Sequence, residues 1–175
     1  MTNYLIIPGL GNSGPEHWQT YFEQSGDNFK RVIQHEWDAP TCKEWVENID
    51  KAITYYDPST VVLIGHSLGC TTIAHWAKES GKVIKGAMLV APSDIENPVY
   101  TFPAVGFSPI PTDIINFPTI VVASTNDPWV SLERATFFAN QWGSKLICIG
   151  NAGHINTDSG FGNWQQGLEI LNTLV

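Results

Sequence analysis

The sequence predicts an α/β fold with a mostly parallel sheet, and two patterns carry that expectation. Short runs of β-branched and aliphatic residues stand at 4–7, 61–64, 87–90, 119–123 and 146–149, and amphipathic helical patterns fall between them. The runs are continuous rather than alternating, which predicts strands covered on both faces. A strand followed by a helix and a second strand in one sheet implies right-handed crossovers and parallel pairing.

Each element has its own local signal. A weaker run at 31–35 fits a further strand between the first two. Ser13-Gly14-Pro15-Glu16 reads as a capping box with proline in the first turn, followed by Trp18, Tyr21 and Phe22 at helical spacing. Thr41-Cys42-Lys43-Glu44 reads as a second box, leading into Trp45, Ile49, Ala52, Ile53 and Tyr56. A third helix follows Ser67, with Ile73, Trp76 and Ala77 inward. Ser131 caps a fourth that carries Ala135, Phe138, Ala139 and Trp142 and stops at Gly143. Asn163-Trp164-Gln165-Gln166 caps the last, with Leu168, Leu171 and Leu174 inward. Six prolines between 92 and 118 leave little room for a long helix, so that stretch is expected to form an irregular wall beside the site.

Composition narrows the class of function. A chain of 175 residues, 43% hydrophobic and 15% charged, is expected to be one globular domain, too hydrophobic for disorder and too interrupted for a membrane span. Its net charge of −8 disfavours nucleic acid and anionic membrane surfaces as partners and favours a small-molecule substrate. Cys42, Cys70 and Cys148 are scattered and odd in number, which predicts reduced core thiols rather than disulfides or a zinc site. The Met1-Thr2-Asn3-Tyr4 start lacks the basic region of a secretory signal, so a cytoplasmic location is expected.

The sharpest motif is Gly65-His66-Ser67-Leu68-Gly69, directly after the 61–64 run and directly before a helical pattern. It has the form and context of a nucleophile elbow. Ser67 must sit in a strained turn, and side chains two positions either side of it would collide with the neighbouring strand and helix. A serine hydroxyl is a poor nucleophile without a base, and the base is expected late in the chain. His154, in the glycine-rich Gly150-Asn151-Ala152-Gly153-His154 loop, fits. His66 belongs to the elbow as a buttress. His35 and His75 read as surface or packing residues. His17 is open between a structural and a pocket role.

The acid should lie between nucleophile and base. Asp127, in Ser124-Thr125-Asn126-Asp127-Pro128 just past a strand, is the choice over Asp94 and Asp113, with Asp158 the competitor from beyond the histidine. The oxyanion donors expected are the backbone N–H groups of Leu68 and of Leu10, the latter in the Pro8-Gly9-Leu10-Gly11-Asn12-Ser13-Gly14 loop. That loop lacks a Gly-Lys-Ser/Thr ending and Gly-x-Gly-x-x-Gly spacing, which counts against phosphate binding. Trp129, Phe102 and Phe107 are candidates for an apolar acyl pocket.

With these residues in place, the chain resembles the α/β-hydrolase superfamily over nearly its whole length. More narrowly, it resembles the small serine hydrolases related to retinoblastoma-binding protein 9. The likeness is carried by 8–18, by Gly65-His66-Ser67-Leu68-Gly69, and by Gly153-His154-Ile155-Asn156 with Ser159-Gly160-Phe161-Gly162 and Trp164. The resemblance implies a compact fold without a cap domain, a six-stranded parallel sheet of order 2-1-3-4-5-6, and the triad Ser67, Asp127 and His154. A Leu-x-Cys-x-Glu binding motif discussed for some relatives is not carried over, because Pro40 stands where leucine would in Pro40-Thr41-Cys42-Lys43-Glu44. The expected activity is hydrolysis of a small ester or thioester through an acyl-enzyme, with no cofactor and no metal. The alternative is a non-catalytic binding module on the same scaffold. A haloalkane-type hydrolase would need aspartate at position 67.

Overall fold

The computed structural model describes residues 1–174. Six parallel strands form one sheet in the order β2-β1-β3-β4-β5-β6, as the resemblance implies. The strands are β1 (Asn3–Ile7), β2 (Phe29–Arg31), β3 (Val61–His66), β4 (Gly86–Val90), β5 (Thr119–Ala123) and β6 (Lys145–Cys148). The helices are α1 (Trp18–Gln24), α2 (Cys42–Ile53), α3 (Leu68–Ser80), α4 (Leu132–Trp142) and α5 (Gln165–Asn172).

The continuous apolar runs are explained by two cores, one on each face of the sheet. Leu5, Ile7, Val61, Leu63, Ala87 and Leu89 point into a core with α2, α3 and α4, where Trp45, Trp76, Phe138 and Trp142 are buried. Their neighbours Tyr4, Ile6, Val62, Ile64, Met88 and Val90 point to the opposite face, against Trp18 and Phe22 of α1, Trp164 and Leu171 of α5. Because strand side chains alternate with period two, only a sheet covered on both faces makes every position apolar. The pattern fails at the edge: β6 is half-exposed along its length, with Lys145 and Cys148 exposed, so Cys148 is not the core thiol expected.

Three local expectations are corrected. The second strand is Phe29–Arg31 rather than 31–35. Phe29 stacks on Tyr4 at 4.3 Å, and pairing with β1 ends once the Val32 N–H has donated to the Ile6 carbonyl. Beyond it the chain still alternates, with Val32 and Gln34 buried and Ile33 and His35 exposed, but has no partner strand. The box at Ser13 does not form, because Arg31 holds the Asn12 side chain and the Ser13 carbonyl in the loop. His17 caps α1 instead, its Nδ1 accepting the Gln19 N–H. Nor does Asn163 cap α5; Trp164 takes that position with no side-chain cap bond.

The other caps hold in part. Ser131 accepts the Arg134 N–H, and Gly143 closes α4 with φ +70°. Thr41 occupies the cap position of α2, but its hydroxyl donates to the Glu44 carboxylate instead of accepting a backbone N–H. The proline-rich stretch between β4 and β5 forms no helix or strand beyond a single bridge to Thr41.

Candidate active site

Ser67 sits where β3 turns into α3, with φ +55° and ψ −123°. A non-glycine residue there stores about 1–3 kcal/mol of strain, which the surroundings must hold. The Ser67 N–H donates to the Val90 carbonyl of the adjacent strand. Both flanking glycines are tightly enclosed, and Gly69 is sterically required. A Cβ on Gly65 would lie 2.8 Å from Ile73 Cδ1 and 3.2 Å from the Cys70 Cα, while one on Gly69 would run into the carbonyl oxygens of Ile7 and Pro8. Gly9 shows the same restriction from the other side, its missing Cβ falling 2.9 Å from Ser67 Cβ.

The residues predicted from three separate parts of the chain converge on this turn. His154 Nε2 lies 2.9 Å from Ser67 Oγ, and His154 Nδ1 lies 2.8 and 3.0 Å from the two Asp127 oxygens. The Asp127 side chain is fully buried and also accepts the Trp129 N–H. Facing a carboxylate, Nδ1 carries the imidazole proton and Nε2 presents its lone pair to the serine hydroxyl. The loop holding His154 is laced to the one holding Asp127: Ser124 Oγ accepts the Ala152 N–H, and Asn126 Oδ1 accepts the Gly153 N–H. From below, His66 donates its Nε2–H to the His154 carbonyl. His66, read from the sequence as part of the elbow, thus ties the elbow to the histidine loop.

The competing acids are occupied elsewhere. Asp94 is clamped by Arg134 through bonds of 2.9 and 3.0 Å, and Asp113 pairs with Lys78 on the surface. Asp158 is exposed in a short 3-10 turn and makes no hydrogen bond to His154. The N–H groups of Leu10 and Leu68 have no hydrogen-bond partner among the described residues.

A pocket of about 360 Å³ opens over Ser67. One wall is aromatic. Tyr100, Phe102 and Trp129 pack edge to face, with Phe102 and Trp129 ring centroids 5.1 Å apart. The loop after β1, together with His17, Asp38 and Asn156, supplies further, mostly polar lining to the pocket. Phe107 does not line it; this ring is buried against Trp45 in the core, and its carbonyl accepts from His75.

Asp38, Ser93 and Tyr100 line the pocket and escaped the sequence reading. Ser93 Oγ lies 2.6 Å from Ser67 Oγ, so while Ser67 donates to His154, Ser93 donates to Ser67. Its position just past the strand beside the elbow was the available signal. Tyr100 had none. Its buried hydroxyl lacks a hydrogen-bond partner among the described residues, and burial raises its pKa.

Three histidine rings run in file beneath the pocket, His17 to His66 at 4.7 Å and His66 to His154 at 4.9 Å between centroids. Burial first, then the charge of Arg31, lowers the His17 pKa to about 3. Burial likewise lowers that of His66 well below its ordinary value. Below pH 6.5 the unfolded chain therefore takes up protons that the folded chain refuses. Stability from these two groups is complete above about pH 6.5 and drains as the pH falls below it, for His17 down to about pH 3, at up to about 1.4 kcal/mol per unit. Urea midpoints are expected to drop between pH 7 and pH 5, where few carboxylates titrate. A midpoint constant over that range would contradict it.

Among the described residues, no cluster of three or more His, Cys, Asp or Glu side chains is placed to hold a metal ion, and no helix is long and apolar enough to cross a membrane.

The parallel sheet, the strained serine turn after β3 and the histidine loop after β6 together define the α/β-hydrolase class. The profile of the serine hydrolase family matches residues 4–173, and the chain belongs to that family. Among solved structures it is similar to a protein from Pectobacterium atrosepticum named as a YdeN-like hydrolase. That match has 34% identity and a TM-score of 0.88, and covers all of this chain and 93% of the other. The YdeN product of B. subtilis matches at 20% identity and a TM-score of 0.85, over 99% of this chain and 98% of that one. The RedJ thioesterase of the prodiginine pathway in Streptomyces coelicolor shares the fold at 14% identity and a TM-score of 0.67, over 99% and 90% of the two chains. A search of curated proteins returns no match. The narrower likeness to the retinoblastoma-binding protein 9 group rests on the sequence segments alone.

Proposed function

We propose that this serine hydrolase cleaves a small ester or thioester through an acyl-enzyme, with Ser67 as nucleophile, His154 as base and Asp127 as the orienting acid. The observation that carries the reading is the unbroken hydrogen-bonded chain from Ser67 Oγ through His154 to the buried Asp127 carboxylate. Ser67 Oγ attacks the acyl carbon as its proton passes to His154 Nε2, and the carbonyl oxygen becomes an oxyanion held by the Leu68 and Leu10 N–H groups. Collapse expels the alcohol or thiol, which takes the proton from His154. Water then repeats the sequence on the acyl-enzyme, freeing the acid and restoring Ser67. Asp127 keeps the proton on Nδ1 and stabilises the imidazolium.

The pocket favours small substrates. Its volume of about 360 Å³ is near the lower end of the range for small-molecule sites, which suits an acyl group and a modest leaving group rather than an extended peptide. The aromatic wall suits the apolar part of such a substrate.

A fluorophosphonate separates this reading from a non-catalytic binding module on the same scaffold. Intact-mass and peptide analysis are expected to find one adduct, on Ser67. No adduct, or one on Ser13 or Ser93 instead, would defeat the assignment.

A further inference from the structure

His17 caps α1, yet the cap does not explain the residue. Asn, Asp and Ser are the favoured N-cap side chains, and any of them would accept the Gln19 N–H with less bulk. The imidazole adds a second nitrogen. Because Nδ1 is the acceptor in the cap, at 3.2 Å from the Gln19 nitrogen, the proton of the neutral ring must reside on Nε2. That N–H has no hydrogen-bond partner among the described residues, although the residue is only 5% exposed. Among the described residues the buried polar side-chain atoms left without a partner are Thr71 Oγ1, Tyr100 OH and Trp164 Nε1, so Nε2 of His17 keeps some open surface. The surface His17 retains lines the pocket over Ser67, together with Gly9 and Leu10.

The ring is also held in register with the nucleophile. Gln19, fully buried, accepts from Ser13 Oγ and donates to the carbonyls of Ile7 and Ile64, tying the first turn of α1 to the ends of β1 and β3. Those strands lead into Gly9 and Ser67. The His66 ring, packed against His17, supports it from below.

Given the acyl-transfer reading of Ser67, on which this rests, we propose that His17 touches the substrate: a neutral imidazole that donates Nε2–H to the carbonyl oxygen of the scissile ester, adding a side-chain donor to the two backbone N–H groups. Its depressed pKa suits the role, since at neutral pH the ring stays an uncharged donor and exchanges no proton with substrate.

The decisive variant is His17→Asn, which keeps an acceptor for the Gln19 N–H but is too short to present the donor. With a p-nitrophenyl ester, kcat is expected to fall about 10²-fold, as for loss of one oxyanion donor, with KM changing much less and the melting temperature staying near that of the wild type. A kcat within threefold of wild type, or a loss that simply follows lowered thermal stability, overturns the proposal. A second measurement needs no variant. Phosphonylation of Ser67 in ¹⁵N-histidine-labelled protein places a phosphoryl oxygen where the carbonyl oxygen would sit, and the His17 Nε2–H resonance is expected to move downfield and exchange more slowly. An adduct on Ser67 with that resonance unmoved defeats the His17 assignment alone. Absence of any adduct removes the triad reading and this proposal with it.

Discussion

Ser67→Ala is expected to lower kcat for ester hydrolysis by about six orders of magnitude and to abolish fluorophosphonate labelling, while the protein still melts cooperatively near the wild-type temperature. The size follows from the way such groups act as a unit: without the hydroxyl, His154 and Asp127 have no proton to move and no acyl-enzyme forms. The fold should survive because the residue's structural bonds are backbone ones, its N–H to the Val90 carbonyl and its carbonyl to the Cys70 N–H. Alanine bears the same positive φ that serine already tolerates. Truncation leaves Ser93 and His154 Nε2 without their partner, but both face the pocket, where water can replace it. Hydrolysis undiminished in the alanine variant would sink the assignment.

Asp127→Asn is expected to cost about four orders of magnitude in kcat with little change in stability. The amide oxygen can keep the Trp129 N–H, so the turn after β5 stays formed. Its NH₂ group, however, then faces His154 Nδ1 and selects the tautomer in which Nε2 carries the proton, leaving nothing to accept hydrogen from Ser67. Asp113→Asn and Asp158→Asn, altered at exposed carboxylates, should stay within threefold of wild type. Asp94→Asn should act chiefly on stability, since it breaks the bidentate bond to Arg134 that anchors the loop after β4. Steady-state rates and melting temperatures for the four variants decide the matter. A near-wild-type rate for Asp127→Asn beside a collapse for Asp158→Asn would transfer the orienting role.

What was legible in the sequence was whatever is encoded locally. The strands announced themselves because both faces of β1, β3, β4 and β5 are covered, and the elbow because a strand, a glycine-flanked serine and a helix must follow one another without a gap. His154 and Asp127 could be chosen because each lies just past a strand's carboxyl end. The misses depend on partners distant in sequence. The bounds of β2 are set by where Phe29 stacks on Tyr4, not by its own pattern. The Ser13 box yields to Arg31, which arrives from β2 to claim the loop. Ser93 and Tyr100 reach the pocket through a proline-rich path with no periodicity to read.

The bare glycines around Ser67 carry a consequence for how this protein can change. Gly69 rides directly on the Ile7 and Pro8 carbonyls, and Gly9 on the Ser67 side chain, so the Ser67 turn and the loop after β1 touch with no clearance between them. Nothing as large as a methyl group can enter without parting the two. The aromatic wall, in contrast, hangs on irregular chain between β4 and β5 and just beyond β5, where insertions and exchanges disturb no strand register. Random substitution should therefore alter the aromatic lining of the pocket far more readily than the Ser67 turn, because the one is mounted on irregular chain and the other is locked against its neighbouring backbone.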